Sequence, residues 1–102
     1  MPDEKPLVSV VVPVYNQEQY LDRSIPALLN QELEDIQIVA VDDGSTDDSP
    51  EILEKYSDLD PRVTVVHKGN GGLVSATITG IESACGDFIA FVDPDDTVGY
   101  DY

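Results

Sequence analysis

Basic residues are scarce in this chain: 5 Lys and Arg stand against 21 Asp and Glu, a formal charge of −16 over 102 residues. Such a surface argues against nucleic acid or an anionic membrane as partner. It also makes an anionic ligand awkward unless a cation bridges it. Cysteine occurs once, at Cys85, which excludes an internal disulfide and suits a reducing compartment. Long hydrophobic runs are missing too. The best, Leu7 to Val14, contains Ser9 and Pro13 and is far too short to span a bilayer. The N-terminus, Met1-Pro2-Asp3-Glu4-Lys5-Pro6, carries two acids and two prolines and does not read as a signal peptide. What the chain does have is 41% hydrophobic residues, so its acidity does not mean disorder. The expectation is one soluble, cytoplasmic domain over residues 1–102, small for an enzyme.

Leu7 to Val14 is β-branched and nearly continuously apolar, which predicts a buried parallel strand with Pro13 at its C-terminal end. A helical stripe follows from Gln17-Glu18 to about Asn30, with Tyr20, Leu21, Ser24, Ile25, Leu28 and Leu29 inward. Pro26 should kink or divide it. Ile36 to Val41 reads as the second strand, broken by Asp42-Asp43-Gly44-Ser45-Thr46-Asp47. Ser45, Thr46 or Asp47 can cap a helix from about Asp48 to Tyr56. Arg62 to His67 is a third strand. A helix from about Leu73 to Ala84 places Leu73, Ala76, Thr77, Gly80, Ile81 and Ala84 on one face, and Gly86 ends it. Phe88 to Val92 is then a fourth strand, buried on both faces. The order β-α-β-α-β-α-β predicts a parallel sheet with right-handed crossovers.

The fourth strand stops abruptly at Asp93-Pro94-Asp95-Asp96, three carboxylates within four positions. Carboxylates this close repel, so either water solvates an ordinary acidic turn or a divalent cation offsets them. In parallel sheets ligands bind beyond the C-terminal strand ends, where strand order reverses. The polar clusters sit at such ends: Tyr15-Asn16, Asp42-Asp43, and Asp93 to Asp96. That shared placement favours a site.

Several chemistries lack their residues. No glycine-rich dinucleotide fingerprint follows the first strand, and no Gly-Lys-Ser/Thr occurs. Gly69-Asn70-Gly71-Gly72 either offers backbone N–H groups to a phosphate or is a plain loop before a helix, the simpler reading. His67 has no metal-spaced partner and reads as structural, as does Cys85. Ser45 lacks a His or Lys partner for acyl transfer. An aromatic ring can stack on a planar base, carboxylates can accept from an imide N–H or ribose hydroxyls, and a carboxylate-bound cation can bridge to a diphosphate. Together these parts describe a metal-dependent nucleotide-diphosphate site.

Val8-Ser9-Val10-Val11-Val12-Pro13-Val14-Tyr15-Asn16-Gln17-Glu18, Val41-Asp42-Asp43-Gly44-Ser45-Thr46-Asp47, Asn70-Gly71-Gly72-Leu73 and Phe91-Val92-Asp93-Pro94-Asp95-Asp96 resemble the successive motifs of family 2 glycosyltransferases of the GT-A fold. The resemblance covers residues 7–98. It implies a Rossmann-like three-layer α/β/α architecture with strand order 3-2-1-4. It places Pro13 and Tyr15 in the base pocket, Glu18 beside it, and Asp42 and Asp43 on base and ribose. Asp93 and Asp95 form the Asp-x-Asp pair, with Asp95 the principal ligand of Mn²⁺ or Mg²⁺, Asp93 nearer the ribose and Asp96 a further ligand. The implied donor is a nucleotide-diphosphate sugar, with a UDP-sugar favoured. The implied acceptor is a hydroxyl on a glycan or a lipid-linked saccharide, as in polysaccharide biosynthesis.

Two departures qualify this. Family members commonly carry Ala-Arg-Asn where this chain has Ala76-Thr77-Ile78, so a basic contact is missing. The general base of an inverting transfer is expected beyond Tyr102, with the acceptor-binding half. These residues are therefore read as the nucleotide-binding part of a longer enzyme, inactive alone and prone to self-association through an uncovered edge. The parent would work in the cytoplasm or at the inner face of the membrane. Two other classes compete: a binding or scaffold module without chemistry, and a receiver-like signalling domain. The latter requires its acidic pair after the first strand and a lysine after a later one, and neither is evident here.

Overall fold

A β-branched strand flanked by two others needs both faces covered, and the chain supplies a helix after each of its first three strands. The computed structural model describes residues 6–30 and 35–92. Its elements are β1 (Val8–Val14), α1 (Glu18–Leu29), β2 (Ile36–Asp43), α2 (Ser49–Leu59), β3 (Val63–Lys68), α3 (Leu73–Ser83) and β4 (Phe88–Phe91). The strands form one parallel sheet in the order β3-β2-β1-β4. Strand order reverses between β1 and β4, as expected for this class.

Side chains alternate across the sheet, and this alternation divides the core in two. Val10, Val12 and Val14 of β1 join Ile36, Ile38 and Ala40 of β2 under α1 and α2, where Leu21, Ile25, Leu28 and Leu53 bury. On the other face Val39 and Val41 pack against Ala76 of α3. Small residues let that helix approach closely. A Cβ on Gly80 would fall 2.3 Å from Val11 Cγ1.

Five expectations are revised. Pro26 lies inside α1, but the helix runs unbroken from Glu18 to Leu29, and Asn30 N–H still donates to the Pro26 carbonyl at 3.0 Å. Near a C-terminus the missing N–H removes a single bond, too little to divide the helix. β2 does not stop at Val41: Asp42 and Asp43 remain in register with His67 and Lys68. Leu73 and Ile81 are exposed, so the inward face of α3 reduces to its small residues. α3 ends at Ser83 with an extended Ala84, and Gly86 serves packing instead, since a Cβ there would lie 2.8 Å from Ser9 N. Finally, β4 is not buried on both faces. Phe88 is 64% exposed and Phe91 50%, because among the described residues β4 pairs with β1 alone.

Candidate functional site

The C-terminal strand ends are shaped by two linked loops. The β1–α1 connection turns on Asn16, a non-glycine residue at φ +52°. The β2–α2 loop supplies its partners: Asn16 N–H donates to Ser45 Oγ at 3.0 Å, and Asn16 Oδ1 accepts from Thr46 N–H at 2.8 Å. Gln17 N–H donates to Ser49 Oγ, and Glu18 N–H to Asp47 Oδ2. None of the three candidate caps is the N-cap of α2: that position is Asp48, which makes no side-chain cap bond, while Asp47, one residue earlier, accepts from Ser49 N–H through Oδ1 at 2.9 Å. Gly44 turns the chain out of β2 at φ +72°, and a Cβ there would lie 2.6 Å from Asn70 N. Only glycine fits.

A cleft of about 270 Å³ opens between these loops and the start of α3, lined by Pro13, Val14, Tyr15, Gln17, Asp43, Asn70, Gly72, Leu73 and Ala76. Pro13, Tyr15 and Asp43 are thus brought together, with Tyr15 47% exposed. β4 reaches the same region, for Val92 N–H donates to the Val11 carbonyl at 3.0 Å. Pro13, two residues further along β1, has no N–H with which to extend that ladder.

Asp43 is 5% exposed and heavily engaged. Its Oδ1 accepts from Lys68 Nζ and from Gly71 N–H, each at 2.9 Å, and its Oδ2 accepts from Gly72 N–H at 2.9 Å. Burial alone would raise its pKa, but the Lys68 ammonium and the two glycine N–H groups outweigh it and hold the carboxyl below its ordinary value. A carboxylate has about four lone-pair positions, so three donors leave room for one more. Gly71 and Gly72 therefore spend their N–H groups on Asp43, not on open space awaiting a phosphate. Lys68, read from the sequence as the start of the loop and not counted as a lysine at a strand end, is the cation that fixes this group. It closes β3, one residue beyond the predicted strand, so the expectation that no lysine follows a later strand is corrected.

Asp42 does not line the cleft. It sits on the opposite face, where Oδ1 accepts from Ser45 N–H at 3.0 Å and Oδ2 lies 3.0 Å from His67 Nδ1. His67 also contacts Glu54 through Nε2, and these two hydrogen-bonded carboxylates raise its pKa. Glu18 is exposed at the start of α1 and is not among the cleft residues. Gln17 is, and its buried Oε1 has no hydrogen-bond partner among the described residues. Sequence reasoning passed over Gln17 and Asn70, although the loop positions of both signalled them. Asp93, Asp95 and Asp96 lie outside the described residues. Among the described residues no group of three or more His, Cys, Asp or Glu could hold a metal.

A larger cleft, about 560 Å³, runs along α2 between Pro50, Glu51, Glu54, Lys55, Asp58, Leu59 and His67. Glu51 there has its pKa raised by the neighbouring acid Asp48. An anionic ligand would meet repulsion, and none of the predicted site residues line it.

Comparison with known proteins settles the family. The profile of Glycosyl transferase family 2 matches residues 9–102. The chain belongs to the family 2 glycosyltransferases. It is 52% identical over 93 residues to the uncharacterized glycosyltransferase EpsJ of Bacillus subtilis, an alignment covering 91% of this chain and 27% of that one. Among solved structures, S. aureus TarS 1-349 in complex with UDP-GlcNAc is similar, with a TM-score of 0.83, 33% identity, and coverage of 96% of this chain and 28% of that one. The Pyrobaculum calidifontis mannosyltransferase PcManGT, in complex with GDP-Man and Mn²⁺, gives a TM-score of 0.81 at 26% identity, covering 92% and 29%. These GT-A enzymes share the parallel sheet of order 3-2-1-4. The chain spans less than a third of the length of each. Family membership also removes the receiver-like reading.

Proposed function

We propose that this chain forms the nucleotide-binding part of an inverting, metal-dependent glycosyltransferase that uses a nucleotide-diphosphate sugar, with a UDP-sugar favoured. The observation that carries the proposal is the buried Asp43 carboxylate, which lines the cleft together with Tyr15 and is held ionised by Lys68 and the glycine loop with one acceptor position to spare. Such a group accepts from an imide N–H, while the exposed Tyr15 ring stacks on the base and Pro13 walls the pocket. Asp42 and Glu18 act around this pocket, Asp42 from behind the sheet.

Asp93 meets the ribose, and Asp95 with Asp93 and Asp96 holds the Mn²⁺ or Mg²⁺, a donor set of hard oxygens suited to either ion. The cation, when bound, neutralises charge on the departing diphosphate. A base on the acceptor-binding portion of the enzyme takes the acceptor proton. These residues alone accordingly bind nucleotide without transferring sugar. A cytoplasmic setting accords with the lone Cys85. No described helix is long and apolar enough to cross a membrane.

Thermal melting with UDP, GDP, CDP and TDP, each with and without Mn²⁺, tests the reading. UDP with Mn²⁺ should raise the melting temperature most. Failure of every nucleotide to stabilise the chain would overturn it, and sugar transfer by the 102-residue chain would refute the division of labour.

A further inference from the structure

Resting on that reading, we infer that His67 is a positioning residue: through Asp42 and Ser45 it holds the backbone of Asn16, and with it the Tyr15 wall of the cleft. The path is continuous. His67 Nδ1 lies 3.0 Å from Asp42 Oδ2, Asp42 Oδ1 accepts from Ser45 N–H at 3.0 Å, and Ser45 Oγ accepts from Asn16 N–H at 3.0 Å. Asn16 Oδ1 in turn accepts from Thr46 N–H and Asp47 N–H. A left-handed non-glycine residue persists where its surroundings over-determine it, and these bonds do so for Asn16. Tyr15 precedes it directly and lines the cleft. Asp42, on the far face of the sheet, influences the cleft through this relay.

The donor matters here more than the charge. A neutral imidazole keeps one N–H, and two carboxylates compete for it. The Asp42 side chain is 6% exposed and cannot turn to water, whereas that of Glu54 is 53% exposed and can. The proton therefore stays on Nδ1 and the link to Asp42 survives in both charge states. Asparagine at this position presents an N–H from the same branch point and keeps the link. Phenylalanine leaves Asp42 Oδ2 buried without a donor.

The test compares wild type with H67N, H67F, S45A and the H67F/S45A double variant. The readouts are the NMR shift and hydrogen exchange of the Asn16 amide without ligand, and calorimetric binding of UDP with Mn²⁺. H67F should shift the Asn16 amide, speed its exchange and weaken UDP about tenfold, with H67N recovering most of both effects. S45A should act like H67F, and the double variant should lose little more than either alone. Should H67F not fold, S45A leaves the His67–Asp42 contact intact and carries the same readouts. An unmoved Asn16 amide in H67F or S45A overturns the relay, as does H67N behaving like H67F. A moved amide with unchanged UDP affinity overturns the positioning role. If wild type binds no nucleotide, the proposed function falls, and the Asn16 amide still decides the relay.

Discussion

Asp42 and Asp43 are adjacent in the chain, yet their carboxylates serve opposite faces of the sheet. Asp42 lies against His67 behind it, and Asp43 is locked by Lys68 and the glycine loop in front. Both residues lie in β2, and strand geometry sends successive side chains apart. Only Asp43 lines the cleft.

Replacing Asp43 with Asn removes the ion pair to Lys68 and sets an NH₂ group against donors already committed to the carboxylate. D43N should lose about 1–3 kcal/mol of stability and about tenfold or more in UDP affinity. Urea unfolding and calorimetry measure the two losses. A D43N protein with wild-type stability would show that the Gly71 and Gly72 bonds do not hold the loop.

His67 and Asp43 shape the pH profile at opposite ends. The His67 pKa is raised above its ordinary 6.5, first by its bond to Asp42 and then by that to Glu54. Its contribution is fully present below pH 6.5 and is lost as pH rises through the higher folded value. Asp43 is depressed below 3.8, so its contribution is present above pH 3.8 and disappears as pH falls through the lower folded value. Urea midpoints recorded across pH should decline on both flanks. H67N should flatten the alkaline flank and leave the acid one.

Gly80 lies in a helix, where alanine would ordinarily add about 1 kcal/mol. Here the new methyl would meet Val11 Cγ1 at 2.3 Å and Val41 Cγ2 at 3.3 Å. G80A should therefore destabilise by about 1–3 kcal/mol, as overpacked cores do. A more stable G80A would show that α3 can lift from the sheet without loss.

β4 presents Phe88, Ile89 and Phe91 to solvent, and Ile78 and Ile81 of α3 are exposed as well. We expect copies of the chain to associate through this edge, opposed by a charge of −16 on each. Sedimentation should show association strengthening with salt, as screening weakens the repulsion. F88K should reduce it. A monomer at every salt concentration would exclude this surface.

Much of the architecture was legible because hydrophobic periodicity is local. The runs around Val10, Ile38 and Val65 could only be strands buried in a sheet, and the stripe through Leu21, Ile25 and Leu28 only a helix lying on one. The misread elements share a cause. Whether Phe88 to Phe91 is covered depends on a neighbouring strand, not on its own apolar run. Whether Leu73 or Ala76 turns inward depends on how closely α3 approaches Val11, which Gly80 permits.

The sequence by itself determined the chemistry on offer: carboxylates, an aromatic and a glycine loop at the ends of parallel strands. Tertiary structure decided how they are used. The pleat of β2 sends Asp43 into the cleft and Asp42 away from it, which no reading of the pair Asp42-Asp43 as a loop could have shown. Pairing of β3 with β2 brings Lys68 and His67 from 25 residues away against those same carboxylates. A charge's partner is set by register across strands, and register is a property of the folded sheet.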